Sequence, residues 1–161
     1  MKTFRIQDKS RVVTVFGDHL ATSSSYANGK TRWIVFDLYK SNLGTYVVHR
    51  VGKSVVVHTS DCSNTLDGGL EPTHRDHLDR DVSLCHLCKP DRESTYVFPE
   101  KERHFVATCD TASGVLDFLS RYDERTESLY YTDVAARLLE RACEVDTELN
   151  VEYYGDDSII Q

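Results

Sequence analysis

The sequence has no long apolar run, its longest being short stretches such as "VVV" and "WIVF". A helix that crosses a bilayer needs about 20 consecutive apolar residues, so none is expected. The first residues, "MKTFRIQDKSRVV", contain no apolar h-region. No secretory leader is therefore expected, and a cytoplasmic location follows, in which thiols stay reduced. There is no Gly-rich phosphate loop of the P-loop or dinucleotide type, no G-x-S-x-G and no H-E-x-x-H. The sequence thus offers no ground for these nucleotide-binding and hydrolase chemistries. Internal repeats and low-complexity linkers are absent as well. The cysteines number five, and an odd count speaks against a disulfide framework.

What is present suits one domain over 1–161, long enough for one core with or without a small satellite. Hydrophobic residues are 40% and charged residues 28% of the chain, an ordinary balance for a globular protein. The formal charge of -7 is unevenly spread. Residues 1–58 hold nine Lys/Arg against three Asp/Glu, and residues 59–161 hold ten against twenty-three. A basic first third beside an acidic remainder suits either a polyanion-binding surface or attraction within the molecule.

Residues 1–59 read as an antiparallel β-meander or small barrel of five or six strands. "TFRI", "RVVTVF" ending at Gly17, and "HLATSSSY" come first, with Asn28-Gly29 as a hairpin signal. In "TRWIVFDLYK", Ile34, Phe36 and Leu38 alternate with Trp33, Val35, Asp37 and Tyr39. "SNLG" turns the chain into "TYVVHRV", and "GK" is expected to turn it again into "SVVVHT". The expected core includes Ile34, Phe36, Leu38, Val47, Val55 and Val57.

Residues 60–95 lose this alternation and form a Cys/His loop unit, too long and irregular to hold a shape without an added restraint. Residues 96–161 return to short strands, "STYVFP" (which begins just before them) and "RHFVATC", followed by two helices. Asp110 or Thr111 caps the first, with Val115, Leu116, Leu119 and Tyr122 on its apolar face. Thr132 caps the second, with Asp133 in the first turn and Val134, Ala135, Leu138, Leu139 and Ala142 as its stripe. The tail "YYGDDSIIQ" is expected to dock loosely. The fold class is α+β: a meander or small barrel, a zinc-stapled irregular loop, and two C-terminal helices.

The stretch from Val55 to Asp91 holds three of the five cysteines and four of the seven histidines. Cys85 and Cys88 form a C-x2-C pair, whose spacing lets two thiolates point at one ion from a tight turn. His58 and Cys62, in "HTSDC", supply a second pair from the end of a strand. One imidazole and three thiolates make a closed structural zinc set, with no position left for water. Read without a metal, the same residues are free thiols and solvated histidines. His86, inside the C-x2-C, is an alternative fourth ligand to His58.

"VHTSDC…LCHLCKPD" resembles the H-x3-C…C-x2-C-K-P pattern of small bacterial metal-binding modules related to the Ada-type zinc domain of DNA alkylation repair. The likeness covers His58 to Asp91 and rests on Cys62, Cys85, Cys88, Lys89 and Pro90. His58 takes a place that Ada-type domains fill with Cys. The resemblance implies structural zinc; the intervening "GGLEPTHRDHLDRDVSL" departs from the family, which weighs against DNA contact more than against metal binding, and methyl acceptance is not expected to carry over. Within that span His74, Asp76, His77, Asp79 and Asp81 offer ligands for a hydrolytic metal site, against the plainer reading of an acidic, solvated loop.

Arg32, Trp33, Tyr39, Lys40, Arg50 and Lys53 gather basic and aromatic side chains on the central strands, as a single-stranded nucleic-acid surface does. Cys109 and His104 stand an odd number of residues apart on one strand, hence on opposite faces, and Cys109 and Cys143 read as packing thiols. The chain therefore reads as a zinc-stabilised, non-enzymatic binding or adaptor protein for a protein partner, similar to small proteins of bacteria and their phages or plasmids. The alternatives are a nucleic-acid-binding module using the basic sheet face and the zinc unit, and, ranked after it, a metal-dependent hydrolase using the His/Asp loop.

Overall fold

The computed structural model describes residues 1–27, 30–59, 73–74 and 95–155, with side chains at 56–59, 73–74 and 95–99 left aside. Asn28-Gly29, Cys62, Asp76, His77, Asp79, Asp81, Cys85, His86 and Cys88 lie outside the described residues, as does the end of the tail. The chain packs into two compact units, one of Met1–Ser25, Val35–Val51 and His104–Gln161, the other of Tyr26–Ile34 and Gly52–Arg103.

The first unit is built on a curled antiparallel sheet in the order β1 (Lys2–Asp8), β2 (Arg11–Ser24), β3 (Arg32–Ser41), β4 (Tyr46–Thr59), β7 (Arg103–Cys109). Ile6, Val15 and Val47 form a buried cluster, with Phe4, Val13, Tyr39 and Val106 packed against it. These side chains come from all five strands. Only a sheet bent into a half-barrel can bring one of its faces together in this way. That face is the interior.

The opposite face carries the helices. Phe36 and Leu38 are buried, and Lys40, two residues on and hence on the same side, bonds to Asp146 at 2.8 Å. Three helices are described: α1 (Ala112–Leu119), α2 (Asp133–Cys143) and α3 (Thr147–Tyr154). All five expected stripe residues of α2 are buried, together with Cys143. Arg141 and Arg137 of α2 donate to the backbone carbonyls of Thr22 and Ser24, at 2.6 and 3.0 Å, which ties the helix along β2.

A bulge makes this two-sided arrangement possible. His19 pairs with Tyr39 and Ala21 with Leu38, leaving Leu20 as an extra residue. One inserted residue reverses the alternation. Val13, Val15 and His19 therefore face inward, whereas Ala21 and Ser23 face the helices and are buried.

Three expected boundaries need correction, each for a physical reason. Gly17 does not end a strand: a Cβ there would stand 2.0 Å from the Lys40 carbonyl oxygen, so glycine permits close approach of two strands rather than a turn. Gly52-Lys53 does not turn the chain either, and β4 runs unbroken from Tyr46 to Thr59. A Cβ at Gly52 would meet the Arg103 guanidinium at 3.1 Å. Tyr122 does not extend α1, whose last turn closes with the Ser120 N–H on the Leu116 carbonyl. It starts a hairpin, β8 (Arg121–Asp123) with β9 (Ser128–Tyr130), where a plain connector is expected from the sequence.

The third helix is absent from the sequence reading. "TELNVEYY" buries only Leu149, too little for an apolar stripe to be visible. Its ends account for it: Asp146 accepts from the Leu149 N–H at 3.2 Å, and Gly155 closes it at φ 77°, donating to the Val151 carbonyl.

In the second unit β4 pairs with β6 (Thr95–Pro99), from Val55 opposite Pro99 to Thr59 opposite Thr95. The short β5 (Thr73–His74) adds to β6, with Thr73 opposite Val97 and His74 opposite Tyr96.

Candidate functional site

The half-barrel interior is mostly aliphatic, but its alternation also turns titratable side chains inward. Asp8 follows Phe4 and Ile6 on β1, and His19 follows Val13 and Val15 on β2. Asp37 precedes Tyr39 on β3. His49 lies between Val47 and Val51 on β4, and His104 precedes Val106 on β7. Three histidines and two aspartates thus share the face.

They are paired. His19 Nε2 lies 2.9 Å from Asp37 Oδ1. The His19 ring also meets Tyr39 at a centroid distance of 5.0 Å, and Tyr39 meets Phe4 at 4.9 Å. A cavity of about 560 Å³ opens beside these rings, lined by Met1, Lys2, Phe4, Gly17, Asp18, His19 and Tyr39. His49 Nε2 lies 3.0 Å from His104 Nδ1. The rings are nearly parallel, 16° apart, yet their nitrogens approach more closely than stacked faces allow. The contact is an N–H···N bond between ring edges, and it needs one proton and one lone pair.

Burial pushes the His49 imidazole below its usual range and His104 adds to this, against opposition from Asp37, the Gln7 backbone and Asp8. Burial alone would raise Asp8. The bonds it accepts from Arg11 at 3.0 Å and from the Val106 N–H at 3.1 Å overcome this and hold the carboxyl below its ordinary value.

A second polar cluster lies on the helix face. The Tyr46 hydroxyl is buried against two carboxylates, Asp146 Oδ2 at 2.5 Å and Glu148 Oε2 at 2.8 Å. Lys40 bonds to Asp146 and stands 4.8 Å from the Tyr46 ring centre. Burial and both carboxylates drive the phenol far above its usual range. Burial would raise Asp146, but Lys40, Tyr46 and the Leu149 N–H hold it low. The bonds from Lys40 and Tyr46 join the start of α3 to β3 and β4, so the cluster acts as a structural fastening.

The residues expected from sequence are placed as follows. Backbone pairing sets His58 opposite Tyr96, near the end of β4. Among the described residues no three His, Cys, Asp or Glu side chains are grouped to hold a metal ion; Cys62, Cys85 and Cys88 lie outside them. Tyr39 and Lys40 project to opposite faces of β3, as do Arg32 and Trp33. Lys40 is engaged with Asp146, and Lys53 pairs with Glu102 at 3.3 Å. Trp33 packs edge-on against Tyr26. Arg50 is half-buried, and its Nε makes no hydrogen bond. Cys109 and Cys143 are free thiols, both raised by burial.

The histidine pair was missed, although it left a signal. In "VVHRV" and "RHFV" a histidine occupies the register of the inward aliphatic residues. Nothing local announces that these two registers meet.

No protein-family model, curated protein or solved structure matches this chain. Among the described residues no helix is long and apolar enough to cross a membrane.

Proposed function

We propose that this chain is a non-enzymatic binding protein that presents a zinc-stapled loop to a protein partner. The supporting observation is the β4–β6 pairing. Thr59 and Thr95 are opposed across the two strands, so the two ends of the intervening span lie side by side. His58 stands one residue before Thr59, and Cys62, Cys85 and Cys88 all belong to the span between Thr59 and Thr95. A single ion bound by these four residues would close the loop on its own base. One imidazole and three thiolates suit zinc in a closed tetrahedral site. Structural zinc contributes on the order of 10 kcal/mol to folding. The enclosed "THRDHLDRD" is rich in carboxylates and suits a basic partner surface.

Native mass spectrometry of the full chain from its natural host tests both parts of the reading. The expected result is one zinc per chain, lost with the unit's fold in Cys85→Ser, together with a co-purifying protein. Protein that carries no metal after expression with zinc available refutes the staple. Binding of nucleic acid that weakens steeply with salt refutes the partner class. A reaction lost in His77→Ala while zinc is retained replaces the binding role with catalysis.

A further inference from the structure

Phe4, His19 and Tyr39 come from three consecutive strands. Their rings meet at one end of the half-barrel, where the β1–β2 ladder begins with Lys2 opposite Gly17. Phe4 and His19 each contact Tyr39, at centroid distances of 4.9 and 5.0 Å and tilts of 52° and 60°, and stand 6.4 Å from each other. Phe4 and Tyr39 are half-buried and His19 is exposed, so all three rings can be reached from solvent. They line the cavity of about 560 Å³, within the usual size of small-ligand sites, about 300–1,000 Å³. Two hydrogen-bonding atoms on these rings are uncommitted. Among the described residues the Tyr39 hydroxyl makes no hydrogen bond. Burial and the Asp37 charge push its phenol up, so it keeps its proton and can donate. His19 commits only Nε2, to Asp37 Oδ1 at 2.9 Å. That bond fixes the orientation of the ring and leaves Nδ1 for a ligand.

We propose that this mouth of the half-barrel binds a small uncharged aromatic ligand with a hydrogen-bonding group. Its ring lies against Phe4, His19 and Tyr39, and its polar group meets the Tyr39 hydroxyl and His19 Nδ1. The tilts suit this guest. No two of the three rings are parallel, so a further ring extends an edge-to-face cluster, whose contacts add to the apolar area they bury. The charges at the mouth exclude a strong preference for an ion. Lys2 and Asp18 both line the cavity, the Met1 ammonium lies 3.7 Å from Asp18, and Asp37 is bonded to His19. An ion of either sign therefore meets a like charge there, and it gives up hydration without a partner of its own. All of these residues belong to the first unit, and none is part of the Cys/His loop.

Titration of the full chain with benzamide, benzoate and benzylammonium, followed by NMR, tests this. Benzamide should shift the ring signals of Phe4, His19 and Tyr39 saturably, with a Kd of about 1 mM or below, and should leave Leu138 and Leu139 of α2 unmoved. The two ions, which carry the same ring, should bind at least about tenfold more weakly. Tyr39→Phe keeps the ring and removes the hydroxyl, and should weaken benzamide by about three- to tenfold. Absence of a saturable shift at these three rings overturns the proposal, and so does binding of either ion as tight as that of benzamide. Unaltered benzamide affinity in both Tyr39→Phe and His19→Ala overturns it as well. Should those variants fail to fold, the ranking of the three probes on the wild type decides alone.

Discussion

Replacing Asp146 with alanine removes one carboxylate that serves three donors. It accepts from Lys40 Nζ at 2.8 Å, from the Tyr46 hydroxyl at 2.5 Å and from the Leu149 N–H at 3.2 Å, and the last of these caps α3. The side chain is only 9% exposed, so solvent cannot replace these bonds. Loss of an N-cap costs about 1 kcal/mol. Leaving a buried hydroxyl or a charge without its partner costs about 1–3 kcal/mol each, but Glu148 still reaches the Tyr46 hydroxyl at 2.8 Å and Lys40 Nζ at 3.7 Å. Because a single group serves all of them, the costs also overlap rather than add, and about 2–4 kcal/mol is expected. For a chain of this size that corresponds to a fall in Tm on the order of 10 °C. Asp146→Asn keeps the cap and an acceptor for Tyr46 but opposes no charge to Lys40, so it should fall between alanine and wild type. Urea titration followed by far-UV circular dichroism gives both values. A cost below about 1 kcal/mol for alanine would refute the fastening role. The acid limb provides a second check. The folded carboxyl is held below its ordinary value, so its contribution is complete above about pH 4 and is lost as pH falls through the folded value. Asp146→Asn should flatten that limb.

Further outcomes follow from single observations. The Tyr46 phenol is raised in the folded state, so its contribution is complete below about pH 10 and is lost as pH rises beyond it. Tyr46→Phe should cost about 1–2 kcal/mol at pH 7 and should blunt the alkaline unfolding seen by fluorescence; an unaltered alkaline limb would count against the buried phenol. Gly17→Ala forces a Cβ to within 2.0 Å of the Lys40 carbonyl oxygen, whereas Gly52→Ala meets a movable guanidinium at 3.1 Å. The first should destabilise by about 2 kcal/mol or more and the second by less than about 1 kcal/mol, as overpacking against backbone and against a flexible side chain imply. Equal thermal shifts in the two variants would contradict the close-approach reading of Gly17.

The α2 stripe was legible because a helical period repeats over a few turns, and Thr132 and Asp133 mark its start. Likewise the alternation of Phe36 and Leu38 could be read within one strand. Gly17 and Gly52 misled because a glycine that relieves a distant contact looks the same in sequence as one that makes a turn. The third helix escaped because its stability comes from Asp146 and Gly155 at its ends rather than from a stripe of its own. The C-x2-C spacing is local, and so is the end of the strand that carries His58.

Periodicity and capping act over a few residues, so the chain alone determined its α+β class and the main helix; metal-ligand spacing is equally local and is the source of the zinc proposal. Whether Lys40 meets Asp146, and whether His49 meets His104, depends on which strands become neighbours and how the sheet curls. Those contacts join residues 106 and 55 positions apart, and only the closing of the half-barrel and the docking of its helices bring them together.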